Sequence, residues 1–251
     1  MPIKRNRFID KIKPGFIPGL YLGLFMWWIF DFPRIKSIFL AWLGQRPDLI
    51  QRTSLWELAV QHLTIVLVST SIALVIGLGL GLMIHYSRLV ELKVMALKFA
   101  SIGETIPSAA IIALSVPLIG YGNGPIILAL IIYAILPILR NTIVGLESIS
   151  RPVLEAASGI GLSRFQQLIK IELPLSKPTL LAGIRTALVI NISAATIGAT
   201  VGAGGFGVPI IAGIRTYDPV TVIQGSVPVI LMALFADRLL RSTTINDPLK
   251  H

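Results

Sequence analysis

The chain has 251 residues, of which 54% are hydrophobic and 14% charged, and its formal net charge is +10. Soluble domains are typically about 25% charged, so this composition argues against a water-soluble enzyme. The sequence has no cysteine and only three histidines, without an HExxH motif. Disulfides, thiol nucleophiles and Cys-ligated metals are therefore excluded, and no catalytic residue or metal site is predicted.

Long uncharged runs indicate an integral membrane protein. Asp, Glu, Lys and Arg are absent from five stretches, at 14–30, 58–87, 105–139, 186–214 and 219–236. Because roughly 20 apolar residues cross a bilayer as one helix, we predict an all-α, polytopic transmembrane bundle of about six spans. In chain order they are expected at 16–32, 60–84, 93–119, 125–145, 179–201 and 219–238. Glu104 and Pro107 interrupt the third span, so two helical pieces with a kink are expected there.

The distribution of basic residues predicts the orientation. With the N-terminus placed in the cytoplasm, 17 Lys and Arg residues lie inside and five lie outside. Cytoplasmic loops carry such an excess, so both termini and the 146–177 loop are predicted to be cytoplasmic. Nucleic acid is the other partner that so basic a chain suggests, but the lipid bilayer accounts for the charge without it.

Small residues recur within two spans and predict close packing between helices, because helices in lipid associate where their backbones approach closely. They identify no function by themselves. In the second span they are Gly77, Gly79 and Gly81, and in the fifth they are Ala182, Gly183, Ala187, Ala194, Ala195, Gly198 and Ala199.

The polar 146–177 segment between the fourth and fifth spans predicts a helix-turn-helix. Pro152 suits the first turn of a helix, which we expect over 153–158. Gly159 and Gly161 would end that helix, since glycine favours the positions after a helix C-terminus.

A second helix is expected over 164–172. Ser163 is placed to cap its N-terminus, and Leu173-Pro174 is expected to stop it at the membrane. Gln167 is expected on the solvated side of this helix.

Seven residues of the segment form a spaced motif. Glu155, Ala156 and Ala157 are followed after three residues by Gly161, after nine more by Ile171, and one residue later by Leu173 and Pro174. At every one of these positions the segment resembles the EAA loop of bacterial ABC-importer permeases. The resemblance implies that these seven residues couple the chain to a separate ATP-hydrolysing subunit. ATP would be used by that partner, and no cofactor is expected here.

The resemblance extends over about 55–240. It is carried by Thr105-Ile-Pro-Ser108, Leu136-Pro-Ile-Leu-Arg-Asn-Thr142, Leu180-Leu-Ala-Gly-Ile-Arg-Thr186 and Gly202-Ala-Gly-Gly-Phe-Gly207. Together these strings resemble the permease subunits of glycine betaine, carnitine and choline importers. This implies a type I importer permease in a bacterial inner membrane, with a second permease subunit, identical or related, and an extracytoplasmic solute-binding protein. The last string also resembles methionine-importer permeases, which stay an alternative.

Three regions are therefore expected. Residues 1–54 would hold a basic tail, the first span and an external connection. Residues 55–240 would form the permease core, and 241–251 a cytoplasmic tail.

Polar and glycine residues in or beside the spans are candidates for the translocation path. They are Glu104, Thr105, Pro107, Ser108, Asn141, Asn191, Gly204 and Gly205. Glu104 has a structural alternative, an ion pair with Lys98 or Arg140, and the asparagines have another, hydrogen bonds between helices. His62 and His85 flank the second span and are expected at membrane interfaces.

Other functional classes find less support. Residues 202–207 formally match GxGxxG, but a dinucleotide site needs a strand before it and a helix after it, and here a membrane span precedes the string. An intramembrane enzyme would need a catalytic pair on facing spans, which the sequence lacks. A channel without ATP coupling stays a third class, against which the motif spacing argues.

Overall fold

The computed structural model describes residues 16–43 and 53–245, and this part of the chain is helical without any strand. The ten α-helices in it are α1 Phe16–Leu43, α2 Leu55–Ser87, α3 Val90–Thr105, α4 Ser108–Ile119, α5 Asn123–Glu147, α6 Arg151–Gly159, α7 Arg164–Gln167, α8 Leu173–Ala194, α9 Gly207–Thr216 and α10 Pro219–Ile245. A π-helical turn, Leu168–Glu172, joins α7 to α8, and a 3-10 segment, Ala195–Val201, continues α8. The all-α prediction is confirmed.

The described helices supply five or six membrane spans. The five that are long and apolar enough are Phe16–Phe39, Leu55–Ser87, Asn123–Glu147, Arg164–Val201 and Pro219–Arg241, and the bent pair α3 and α4 makes a sixth. The two helices of that pair meet at 91°. Pro107 precedes α4 and forces Ile106 into an extended conformation, so the predicted interruption of the third span is confirmed. The cytoplasmic placement of the termini stays a prediction.

The fifth span begins much earlier than predicted, because Leu173-Pro174 does not stop the preceding helix. Helical structure instead runs without a break from Arg164 to Val201. Proline disrupts an α-helix through its missing N–H and its clash with the carbonyl four residues earlier. Here the wider π-helical turn relieves that conflict, and the Leu173 N–H donates five residues back to the Leu168 carbonyl. The second half of the predicted coupling segment is thus the beginning of the long helix that forms the fifth span.

Helices α2, α5 and α8 form the centre of the bundle, and glycines set their distances. An added Cβ at Gly77 would lie 2.9 Å from Ile138 Cγ2, and one at Gly183 would lie 2.7 Å from the Pro137 carbonyl oxygen. Both glycines therefore permit the close packing predicted from the sequence. Gly79 differs, because no described atom lies within 4 Å of a Cβ built there.

Helix α1 packs outside this centre, against α10. The Trp28 side chain is buried, and its Nε1–H donates to the Gln224 carbonyl oxygen at 3.3 Å. Phe25 of the same helix packs edge to face on Phe206, with ring centroids 6.2 Å apart. The N-terminal span is therefore a packed part of the bundle.

Candidate coupling site

Helix α6 and the turn after it follow local sequence rules. The extended Ser150 precedes α6 and Pro152 lies in its first turn, as predicted, although Ser150 makes no side-chain capping bond with the described residues. Gly161 has φ +81°, a left-handed conformation that costs glycine little and other residues more. Its N–H donates to the Ser158 carbonyl at 2.9 Å, and the Leu162 N–H donates to the Ala157 carbonyl at 3.1 Å. These bonds close the end of α6.

Helix α7 starts with a complete capping box, so the predicted Ser163 cap is confirmed. The Ser163 hydroxyl accepts from the Gln166 N–H at 3.4 Å, and the Gln166 side chain accepts from the Ser163 N–H at 2.9 Å. Two otherwise unpaired backbone donors are satisfied in this way. We call Arg151–Gln167 the coupling turn from here on.

The prediction for Gln167 is wrong. Its side-chain amide points back into the coupling turn, donating to the Ser158 hydroxyl at 3.0 Å and to the Leu162 carbonyl at 2.9 Å. Helical spacing placed it on the solvated face, but a long amide beside a left-handed glycine reaches exposed backbone acceptors instead. Gln167 therefore ties α7 to the end of α6.

The structure divides the seven motif residues between two places. Glu155, Ala156 and Gly161 are exposed on the coupling turn, whereas Ala157 is buried beneath it. The other three are half-buried and lie in the π-helical turn or the first turn of α8; they are Ile171, Leu173 and Pro174. The motif thus marks both an exposed turn and the point where that turn enters the membrane helix. Its role in ATPase docking stays a prediction.

The exposed Glu155 borders a cavity of about 550 Å³ between the coupling turn and the neighbouring ends of α2, α3 and α5. Three arginines line the same cavity, Arg88, Arg151 and Arg164. Glu155 therefore has basic neighbours in its own chain.

Two side-chain contacts fasten the coupling turn and the π-helical turn after it to the last turn of α2. Glu172 is buried with 6% exposure, and its carboxylate accepts a hydrogen bond from His85 Nε2. The Arg164 guanidinium lies 4.8 Å from the centre of the Tyr86 ring, within the range of a cation–π contact. His85 was predicted only as an interfacial residue, and its pairing with Glu172 was missed.

The first group of predicted path residues lies at the break between α3 and α4. Glu104 is exposed there and makes no ion pair with any described residue, so the alternative of a pairing with Lys98 or Arg140 is not found in the described part of the chain. The Thr105 hydroxyl donates to the Ile102 carbonyl of its own helix at 2.8 Å. Pro107 and Ser108, the remaining two, form the start of α4.

The asparagines take structural positions between helices. Asn141 donates to the Pro137 carbonyl of its own helix at 2.8 Å. Asn191 is fully buried and donates to the Thr70 hydroxyl of α2 at 2.9 Å. Its Oδ1 has no hydrogen-bond donor among the described residues. Asn191 thus makes the helix–helix hydrogen bond weighed as the alternative to a path role.

The glycine string 202–207 packs on the N-terminal part of α2. The Gly205 N–H donates to Gln61 Oε1 at 3.0 Å, and an added Cβ at Gly204 would overlap that same Gln61 side chain. His62 is fully buried, with Nε2 donating to the Ile192 carbonyl at 3.0 Å. His62, predicted at a membrane interface, thus lies buried in the bundle, where the Ile192 carbonyl accepts its hydrogen bond. Asn191, Gly204 and Gly205 all contact α2, whereas the 104–108 group lies at the α3–α4 break.

Comparison with known proteins agrees with this geometry. The family model described as "Binding-protein-dependent transport system inner membrane component" matches residues 73–242. The glycine betaine/carnitine/choline transport system permease protein OpuCB of Bacillus subtilis (strain 168) is 37% identical over 73% of this chain and 83% of its own length. The osmoprotectant import permease protein OsmY of Salmonella typhimurium (strain LT2) is 35% identical over 88% of each chain.

Among solved structures, the MetNI methionine ABC transporter in an inward-facing conformation matches with a TM-score of 0.63 and 25% identity. That match covers 72% of this chain and 92% of the other. The chain belongs to the family of inner membrane components of binding-protein-dependent transport systems. It is a multi-pass transport subunit, and ATP hydrolysis is carried out by a separate subunit. The intramembrane enzyme and the uncoupled channel are thereby set aside.

Proposed function

We propose that the chain is the permease of an ATP-driven importer for osmoprotectants of the quaternary-ammonium type, such as glycine betaine, carnitine or choline. The observation that carries this is the 37% and 35% identity to the two permeases named for such solutes, over 73% and 88% of the chain. The methionine transporter is a structural match at 25% identity, which supports the shared fold more than a shared solute. A methionine-type importer is the second candidate for that reason.

The proposed assembly sits in the bacterial inner membrane. It contains two permease subunits, identical or related, two ATPase subunits beneath them and an extracytoplasmic solute-binding protein. The coupling turn docks on the ATPase, and ATP-driven closure of the ATPases switches the permeases between inward-open and outward-open states. The exposed Ala156 and Gly161 support this role, since small residues leave room for another backbone to approach.

The solute class is tested by uptake. The chain is expressed with its ATPase and binding protein in a strain that lacks other osmoprotectant and methionine importers. Labelled glycine betaine, carnitine, choline and methionine are then supplied separately. We expect ATP-dependent uptake of at least one quaternary-ammonium solute, because the permease relatives are named for these. Cells without the permease give the background, and uptake of methionine alone would transfer the assignment to the second candidate.

The orientation is tested by labelling single cysteines, since the native chain has none. Ile160 in the coupling turn and Tyr121 between α4 and α5 are 77% and 79% exposed, so cysteine at either position reaches solvent without disturbing packing. With cytoplasmic termini, an impermeant maleimide added to spheroplasts should label Tyr121→Cys and leave Ile160→Cys unlabelled until the cells are lysed. The reverse labelling pattern would show that the predicted orientation is wrong.

A further inference from the structure

The buried carboxylate of Glu172 belongs to the π-helical turn that precedes Pro174. Pro174 cannot continue a regular α-helix, and the π-helical turn Leu168–Glu172 accommodates it. A π-helical turn contains more residues than an α-helical one and so rotates the side chains around it. In this structure the rotated side chain is Glu172, and it ends up buried against α2. A buried carboxylate is costly without a charged or hydrogen-bonding partner.

His85 supplies that partner from the last turn of α2. Its Nε2–H donates to the Glu172 carboxylate, and the histidine side chain retains 23% exposure. On the other side of the coupling turn, the Arg164 guanidinium lies over the Tyr86 ring. Consecutive residues of α2, His85 and Tyr86, therefore contact both ends of the segment that leads from the coupling turn into the membrane.

Farther from the coupling turn, helix α2 also contacts the Arg164–Val201 helix and the 202–207 string. Its 33 residues span about 50 Å at 1.5 Å per residue. Three hydrogen bonds join it to the long helix or to the glycine string beyond: Asn191 Nδ2 to Thr70 Oγ1 at 2.9 Å, His62 Nε2 to the Ile192 carbonyl at 3.0 Å, and the Gly205 N–H to Gln61 Oε1 at 3.0 Å. The two helices are thus joined at the coupling end by Glu172 and His85 and near the other end of the long helix by Asn191 and Ile192, while Gly205 joins α2 to the glycine string.

We propose that His85 and Glu172 are positioning residues for coupling, which make α2 move together with the coupling turn. Displacement of the turn by the ATPase then reaches the bundle through two helices, the continuous Arg164–Val201 helix and α2. Through Gln61, α2 carries the displacement to the 202–207 string at the opposite end. Because it deepens the proposed importer function, this inference assumes that the ATPase acts on the coupling turn. It assigns roles to residues that the motif does not contain.

The experiment compares variants of the pair in the whole complex, reconstituted in proteoliposomes with its ATPase and binding protein. Glu172→Gln and His85→Leu are expected to reduce solute transported per ATP hydrolysed by roughly three- to tenfold, the usual size of a coupling effect. Recovery of the ATPase in a pull-down should stay normal, because the exposed docking residues are untouched. His85→Gln still donates a hydrogen bond and should retain most of the coupling. The double variant should lose no more than the worse single one, as for two residues of one interaction.

Lys170→Gln is the matched control, since Lys170 is an exposed charged residue of the same π-helical turn and should behave like wild type. A second pair of variants, at Tyr86, covers the case in which Glu172→Gln or His85→Leu does not fold. Because Tyr86 is half exposed, replacing it should disturb folding less. Tyr86→Leu should lower the transport-to-ATP ratio and Tyr86→Phe should not, since only the latter keeps the ring. An unchanged ratio in Glu172→Gln and His85→Leu would overturn the inference. If those two variants do not accumulate in the membrane, an unchanged transport-to-ATP ratio in Tyr86→Leu would overturn the inference.

Failure of the proposed function would look different. A wild-type complex that hydrolyses ATP without taking up any tested solute contradicts the importer assignment before any variant is compared. A wild-type complex that transports normally, beside variants that also do, contradicts only the roles of His85 and Glu172.

Discussion

Gly161→Asp is expected to reach the membrane in normal amounts while its ATPase recovery and solute uptake fall by roughly tenfold or more. Gly161 has φ +81°, a left-handed conformation that favours glycine, although Asp and Asn adopt it more readily than other L-residues. The new carboxylate adds a second cost, because it would lose water at a protein–protein contact. The bundle itself should tolerate the change, since no described atom lies within 4 Å of a Cβ at this position.

The measurement pairs membrane abundance with ATPase recovered in a pull-down, followed by uptake. Two variants separate the two costs. Gly161→Asn adds a similar side chain without charge and in a residue type that tolerates left-handed backbone, so it should retain much of the binding. Gly159→Asp adds the same charge two residues earlier, at a glycine with no positive φ, and reports the effect of charge alone. Normal ATPase recovery by Gly161→Asp would mean that the coupling turn does not dock as proposed.

The coupling turn was predictable because its determinants are local. Pro152 in a first helical turn, Ser163 as a cap and a glycine after a helix all act within a few residues of chain. The structure places each of them as predicted. The break in the third span was readable for the same reason, since Pro107 restricts the residue just before it.

The contacts that fasten the turn were not predictable by the same rules. Glu172 and His85 are 87 residues apart in sequence, and no spacing rule pairs them. Leu173-Pro174 predicts a helix stop because a proline usually ends an α-helix, whereas a π-helical turn before the proline lets the helix continue. The prediction for Gln167 failed because helical periodicity gives only the face of the helix on which a residue lies. It does not show that the side chain bends back to hydrogen-bond with Ser158 and Leu162.

The predicted path residues show a further limit. Glu104, Thr105 and Ser108 were chosen because polar groups are costly in a membrane. In the structure they lie at the exposed α3–α4 break. The same reasoning selects Asn191, whose side chain hydrogen-bonds to Thr70 of α2. Polarity alone cannot separate a group that meets solute from one that joins two helices, because the two have the same cost of transfer into lipid.

Gly183→Leu is expected to reduce the amount of folded permease in the membrane severalfold, because α5 and α8 could no longer approach as they do. A Cβ at Gly183 would lie 2.6 Å from Asn141 Cβ and 2.7 Å from the Pro137 carbonyl oxygen. Overpacking of this kind typically costs about 1–3 kcal/mol, and more where backbone must move. Membrane abundance and the thermal stability of the detergent-solubilised protein measure the effect.

Gly79→Leu is the matched control, since Gly79 is also inside a spanning helix but no described atom lies within 4 Å of its added Cβ. Leucine is the better helix former by roughly 1 kcal/mol, so this variant should accumulate at least as well as wild type. Removing the Asn141 side chain in Gly183→Leu/Asn141→Gly should not restore the protein, because the Pro137 oxygen is a backbone atom that side-chain trimming cannot move. If Gly183→Leu accumulates and melts like Gly79→Leu, the α5–α8 contact is looser than described. If the double variant recovers fully, the Asn141 side chain rather than the helix backbone limits how closely these two helices pack.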